Sequence, residues 1–126
     1  MYELAVVRDF IAQHFLVGGD FGRENERHSH HYRVELRLRG RRLDAHGFLV
    51  DIDAVKEALE RTVRRYEERT LNDLPEFEGL NPSLEHFVRL FTERLLESFD
   101  PEGLDGLQVR LWEAPDAWAA YTPPSR

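Results

Sequence analysis

The stretch ENERHSHHYRVELRL, residues 24–38, places His28, His30 and His31, three of the chain's six histidines, within four positions. Alternation follows, with Tyr32, Val34, Leu36 and Leu38 on one parity and His31, Arg33, Glu35, Arg37 and Arg39 on the other. In a strand, residues two apart point the same way with their Cα atoms about 6.5 Å apart. His28 and His30 can therefore put two imidazole nitrogens on one ion without bending the backbone. They share the parity of the apolar side chains, where an unpartnered polar ring is costly. His14 is the natural third ligand, because in YELAVVRDFIAQHF it shares parity with Leu4, Val6, Phe10 and Ala12. Three neutral imidazoles suit Zn²⁺, and three protein ligands leave a fourth position open for water or substrate. The bland alternative is a pair of surface histidines at the start of a strand. His31 faces the other way and His46 falls in a turn, so both read as polar surface.

These ligands need strands to hold them. The spacing predicts a first strand over YELAVVRDFIAQHF and, after the polar loop LVGGDFGRENER, a second over the quoted stretch. Residues 40–47 read as turn and GFLVDI as a short extended segment. The period then changes: Ile52, Val55, Leu59, Val63 and Tyr66 lie at helical spacing, with Asp51 or Asp53 as cap. Asn81-Pro82-Ser83 opens a second helix, with proline in its first turn and a stripe of Leu84, Phe87, Val88, Phe91, Leu95 and Phe99. LDGLQVRLWEAPDAWAAY gives two short strands joined at 114–117. The order is ββααββ. It predicts an α+β fold, a four-stranded antiparallel sheet with two helices on one face.

The totals agree with one domain over residues 1–126, large enough for a real core. No apolar run approaches the roughly 20 residues of a membrane helix. MYELAVVRDF lacks the basic-then-apolar order of a signal peptide, so a cytoplasmic protein without a membrane partner is expected. The absence of cysteine excludes disulfides and thiolate chemistry. A net charge of −7 argues against a nucleic-acid partner. The arginines of RLRGRRLD read as a solvated edge.

These residues resemble a known family. FIAQH is similar to the F-x-A-x-H of 6-pyruvoyl-tetrahydropterin synthases and the related 6-carboxy-tetrahydropterin synthases. HSHHYRVEL resembles their H-G-H-x-Y-x-V, with Ser29 at the glycine position, and GFLVDIDAVK their G-x-V-x-D-F-x-x-L-K, with Ile52 for the aromatic. Leu71-Asn72 and NPSLEH resemble the family's L-N and N-P-T-x-E-N, and the last strands carry Glu113 where the family has a glutamate.

The resemblance covers nearly the whole chain in order. It implies the tunnelling fold, with subunits closing an oligomeric barrel, usually a homohexamer built as a dimer of trimers. It implies zinc on three histidines, matching His14, His28 and His30. It also implies a small-molecule pterin substrate, anchored by a glutamate matching Glu113. That residue shares strand parity with Leu107, Val109 and Leu111, and a carboxylate there can accept two parallel N–H bonds from a pterin or guanine edge.

The departures fall on the catalytic groups. Glu24 stands four residues before His28 where the family has its basic cysteine, and Glu67-Glu68 stand where Asp-His is expected. A carboxylate can serve as general base, and a branch of the family carries glutamate in the cysteine position. Glu24 and Glu68 are thus the candidate catalytic residues of a zinc-dependent enzyme acting on dihydroneopterin triphosphate or a related pterin. That enzyme would be a carbon–oxygen lyase or a side-chain-cleaving aldolase. The alternatives are a non-catalytic zinc-containing pterin or purine binder, and a structural zinc that serves assembly.

Overall fold

The computed structural model of the chain describes residues 1–125. It follows the expected order: β1 (Tyr2–His14), β2 (His28–Gly40), α1 (Ile52–Tyr66), α2 (Leu84–Leu96), β3 (Gly106–Ala114) and β4 (Ala117–Tyr121). Among these residues the strands form one antiparallel sheet in the order β1-β2-β3-β4. The β1–β2 pair runs unbroken from Tyr2 opposite Gly40 to His14 opposite His28. That register puts Ala12 opposite His30, so three histidines of one parity meet at one end of the hairpin.

The alternation works as the sequence requires. Val6, Phe10, Tyr32, Val34, Leu36 and Leu38 are buried on one sheet face with Leu107, Val109 and Leu111 of β3. The helices cover this face with Val55, Leu59, Val63 and Tyr66 of α1 and Phe87, Val88, Phe91 and Leu95 of α2. Each such side chain contributes roughly 1.5–3 kcal/mol by leaving water. Behind the histidines lies an aromatic layer. The Tyr32 ring stands 5.6 Å from that of His30 and 5.1 Å from that of Phe87, so the site rests on a rigid floor.

The helix boundaries matter for the site. Asp51 caps α1, accepting from the Asp53 and Ala54 N–H groups. Ser83 caps α2, accepting from the His86 N–H at 3.1 Å. Pro82 therefore lies just outside α2 rather than in its first turn, and its carbonyl is free of the helix ladder.

GFLVDI forms no strand. Asp44 Oδ1 accepts from the His46 and Phe48 N–H groups, and the Asp44 N–H donates to the Phe48 carbonyl, curling the start of the segment, Gly47-Phe48, into a turn. Gly47, at φ 84°, occupies the left-handed region this turn needs.

Candidate metal centre

The three rings come from two adjacent strands and face one another. Their centroids are 4.6 Å (His14–His28), 4.8 Å (His14–His30) and 4.8 Å (His28–His30) apart, with interplanar angles of 68°, 85° and 81°. Donor atoms of His14, Glu24, His28 and His30 all lie within 4.8 Å of one another. The expected ligands are brought together, and Glu24 joins them.

Backbone carbonyls set the tautomers. His14 Nδ1 lies 2.8 Å from the Pro82 carbonyl oxygen, and His28 Nδ1 lies 2.7 Å from that of Glu26. A carbonyl only accepts, so in each ring Nδ1 carries the hydrogen and the neutral form turns a bare Nε2 toward the centre. Burial is the main force holding His14 neutral, lowering its pKa to about 4. Neighbouring His30 and His28 add to that fall, against the Pro82 hydrogen bond and the Glu24 carboxylate.

The donor set fits a cation. His14 is 1% exposed, and its Nε2 is a buried polar atom with no hydrogen-bond partner. His28 Nε2 stands 3.0 Å from His30 Nε2 and 2.9 Å from Glu24 Oε2. With the His28 hydrogen on Nδ1, a neutral His28 ring offers the Glu24 carboxylate only a lone pair, and a cation held between them would satisfy both. A tetrahedral ion with Zn–N bonds near 2.0–2.1 Å spaces its donors by about 3.3 Å, close to the 3.0 Å between the Nε2 atoms of His28 and His30. On their far nitrogens His14 and His28 have the carbonyl partners that zinc-ligating histidines generally have. His14, His28 and His30 would hold the ion.

Two carboxylates border the cluster. Glu24 rides on a short 3₁₀ turn, Gly22–Asn25, with its side chain half exposed. Glu113 lies where the β3–β4 register shifts, between Trp112 and Ala114. Such a bulge re-aims a side chain. Glu113 Oε1 lies 3.1 Å from His30 Nε2 and 3.6 Å from His14 Nε2. The longer contact is proximity rather than an ion pair, since His14 is neutral.

Glu68 is not brought to the cluster within one chain. It lies two residues beyond the end of α1 at φ 59°, is exposed, and donates its N–H to the Ile11 carbonyl at 2.7 Å, alongside β1. His31 lies on the opposite sheet face beside Asp9, and His46 is in its turn, as expected.

The pattern of residue types missed the outer partners. The carbonyls of Glu26 and Pro82 have no signature in side-chain chemistry. Asn25, Asn72 and Asn81, which tie the chain beyond His14, are ordinary loop residues in composition. The paired motifs Leu71-Asn72 and Asn81-Pro82 were the available signal.

With this geometry in place, comparison identifies the class. The family model for 6-pyruvoyl tetrahydropterin synthase matches residues 3–124, and the chain belongs to that family. The solved 6-pyruvoyl tetrahydropterin synthase of Caenorhabditis elegans superposes with a TM-score of 0.88 at 23% identity, covering 98% of this chain and 96% of that one. The Plasmodium vivax enzyme gives 0.80 at 18% identity, covering 97% of each chain. A P. vivax variant described as a catalytic-residue mutant, glutamate changed to alanine, gives the same values. These likenesses establish the tunnelling fold. No curated protein matches the chain in sequence.

Proposed function

We propose that the chain is a zinc-dependent pterin-modifying enzyme. It acts on dihydroneopterin triphosphate or a related pterin by eliminating or cleaving the side chain. The observation that carries this reading is the convergence of His14, His28 and His30, with the His14 Nε2 buried and unpartnered and Glu24 at the rim. Bound zinc would supply a Lewis acid for a side-chain oxygen of the substrate.

The chain's own residues do the rest. Glu24, half exposed beside His28, takes a carbon-bound proton from a pterin lying over the cluster. Glu113 accepts two N–H groups of the pterin ring. The glutamate named as catalytic in the P. vivax variant supports a carboxylate in such a role. Glu68, on the outer side of β1, enters the reading only through a neighbouring copy. Assembly belongs to the same proposal: β1 and β4 are sheet edges, and Val7, Ile11 and Trp118 are exposed on the uncovered face. A homohexamer is expected, and a monomer in light scattering at micromolar concentration contradicts it.

The deciding experiment incubates the zinc-loaded protein with dihydroneopterin triphosphate and follows products by mass. A product lacking part of the side chain supports the enzyme, and no turnover with binding intact removes it. The placement of Glu68 away from the cluster favours a second reading, a zinc-containing pterin or purine binder. Tight pterin binding that survives Glu24→Ala, with no product from the wild type, selects it.

Among the described residues no helix is long and apolar enough to cross a membrane. A cytoplasmic location remains part of the proposal.

A further inference from the structure

β1 ends at His14, and Phe15, Leu16 and Val17 belong to no strand. Their backbone is nonetheless tied at every step. The Phe15 N–H donates to Asn72 Oδ1 at 3.0 Å, and the Phe15 carbonyl accepts from Asn72 Nδ2 at 2.9 Å. The Leu16 N–H donates to the Glu24 carbonyl at 2.8 Å, and the Leu16 carbonyl accepts from Asn25 Nδ2 at 2.9 Å. The Val17 N–H donates to Asn81 Oδ1 at 2.8 Å.

The Asn72 amide stands in for a peptide group. Along the free edge of β1, the Ile11 carbonyl accepts from the Glu68 N–H at 2.7 Å, and the Gln13 N–H donates to the Arg69 carbonyl at 2.9 Å. Phe15 is the next residue of that parity, and there the side chain of Asn72 supplies both donor and acceptor. The ladder thus continues past His14 after the backbone pairing has stopped.

Asn25 acts on the other flank. Its Oδ1 accepts from the Phe21 N–H at 2.7 Å, and its Nδ2 also reaches the Gly19 carbonyl at 3.0 Å. One side chain thereby closes the loop that presents Glu24. Asn81 precedes Pro82, whose carbonyl orients His14. The same short stretch of chain is held at both the ligand and its outer partner.

We infer that Asn25, Asn72 and Asn81 are positioning residues of the metal centre. Through the backbone of Phe15–Val17 they hold His14 and Glu24 against His28 and His30. The inference rests on the zinc reading above and adds how the donor set is kept in place. Metal ligands lose affinity when their supporting contacts loosen, even with every ligand present.

The test is a zinc titration of metal-free protein against a chromophoric chelator, beside thermal unfolding of the same samples. Wild type binds one zinc per chain. Asn72→Leu, which removes both bonds to Phe15, weakens zinc binding by about 10-fold or more, the lower end of the loss that follows when a direct outer partner is removed. Asn81→Leu weakens it similarly, while Asn81→Asp keeps the acceptor that Val17 needs and restores most of the affinity.

Purely structural asparagines would lower the melting temperature but leave zinc affinity unchanged in folded protein. Wild-type affinity in both folded leucine variants overturns the inference and leaves the zinc reading standing. If Asn72→Leu does not fold, the Asn81 pair decides, and equal affinities in its two variants overturn the inference. Failure of wild type to bind zinc overturns the zinc reading and the inference together.

Discussion

His14 Nδ1 and the carbonyl oxygen of Pro82 lie 2.8 Å apart although 68 residues separate them in the chain. The bond joins the last residue of β1 to the residue just outside the cap of α2. Had Pro82 entered the helix, its carbonyl would belong to the helical ladder and could not fix the His14 tautomer. The start of one helix is therefore also an orienting element of the histidine cluster.

The first prediction concerns the ligands. His14→Ala, His28→Ala or His30→Ala should each weaken zinc affinity by more than the roughly 10–100-fold loss typical of an outer partner, so that protein purified with zinc present keeps little of it. Elemental analysis after gel filtration measures it. Retained zinc in all three variants would place the metal elsewhere.

How much of this was readable beforehand follows from the physics of each part. Parity on β2 foretold that His28 and His30 share a face, because strand geometry alone decides it. The pairing of His14 with His28 needed the β1–β2 register, which thirteen alternating residues on each strand made definite. Glu113 was legible by parity, whereas the bulge that aims it was not. GFLVDI misled because its apolar residues look extended, while Asp44 side-chain bonding, a local competition invisible to periodicity, curls its start. Glu68 was placed by family position, but its location depends on how α1 ends, and a left-handed residue there turns the chain along β1.

Glu24→Gln separates base from ligand. The amide keeps size and polarity but cannot take a proton, so turnover should fall about 10²–10⁴-fold. Zinc content should hold, because three histidines remain. Single-turnover assay with mass detection, paired with zinc analysis, checks both. Unchanged turnover would remove Glu24 as the base.

Glu113→Gln should act on binding. It replaces a charge-assisted acceptor with a neutral amide that can pair with only part of the pterin edge, costing about 1.5–3 kcal/mol. Pterin Kd, measured by fluorescence quenching or calorimetry on the zinc form, should rise by one to two orders of magnitude on that scale. Equal affinity in both proteins would mean that Glu113 does not touch the ring.

The last prediction concerns stability and lies away from the site. Glu76 accepts from Arg65 Nη2 at 2.8 Å and from the Tyr66 hydroxyl at 3.0 Å. Burial pushes its pKa up, but bonds from Arg65, its own backbone N–H and Tyr66 outweigh that and lower it from 4.5 to about 2. A depressed carboxyl pKa adds stability that is fully present above 4.5 and is lost as pH falls from 4.5 through 2. Glu76→Gln should therefore cost roughly 1–3 kcal/mol at neutral pH, discounted for partial exposure. The gap between variant and wild type should narrow steadily as the solution is acidified through that window. Other titrating groups, His14 among them, are common to both proteins and cancel in the difference. Urea unfolding of the metal-free proteins at neutral pH and at about pH 3 measures it. A gap that stays constant between the two conditions would show that the carboxylate charge of Glu76 adds nothing to the fold.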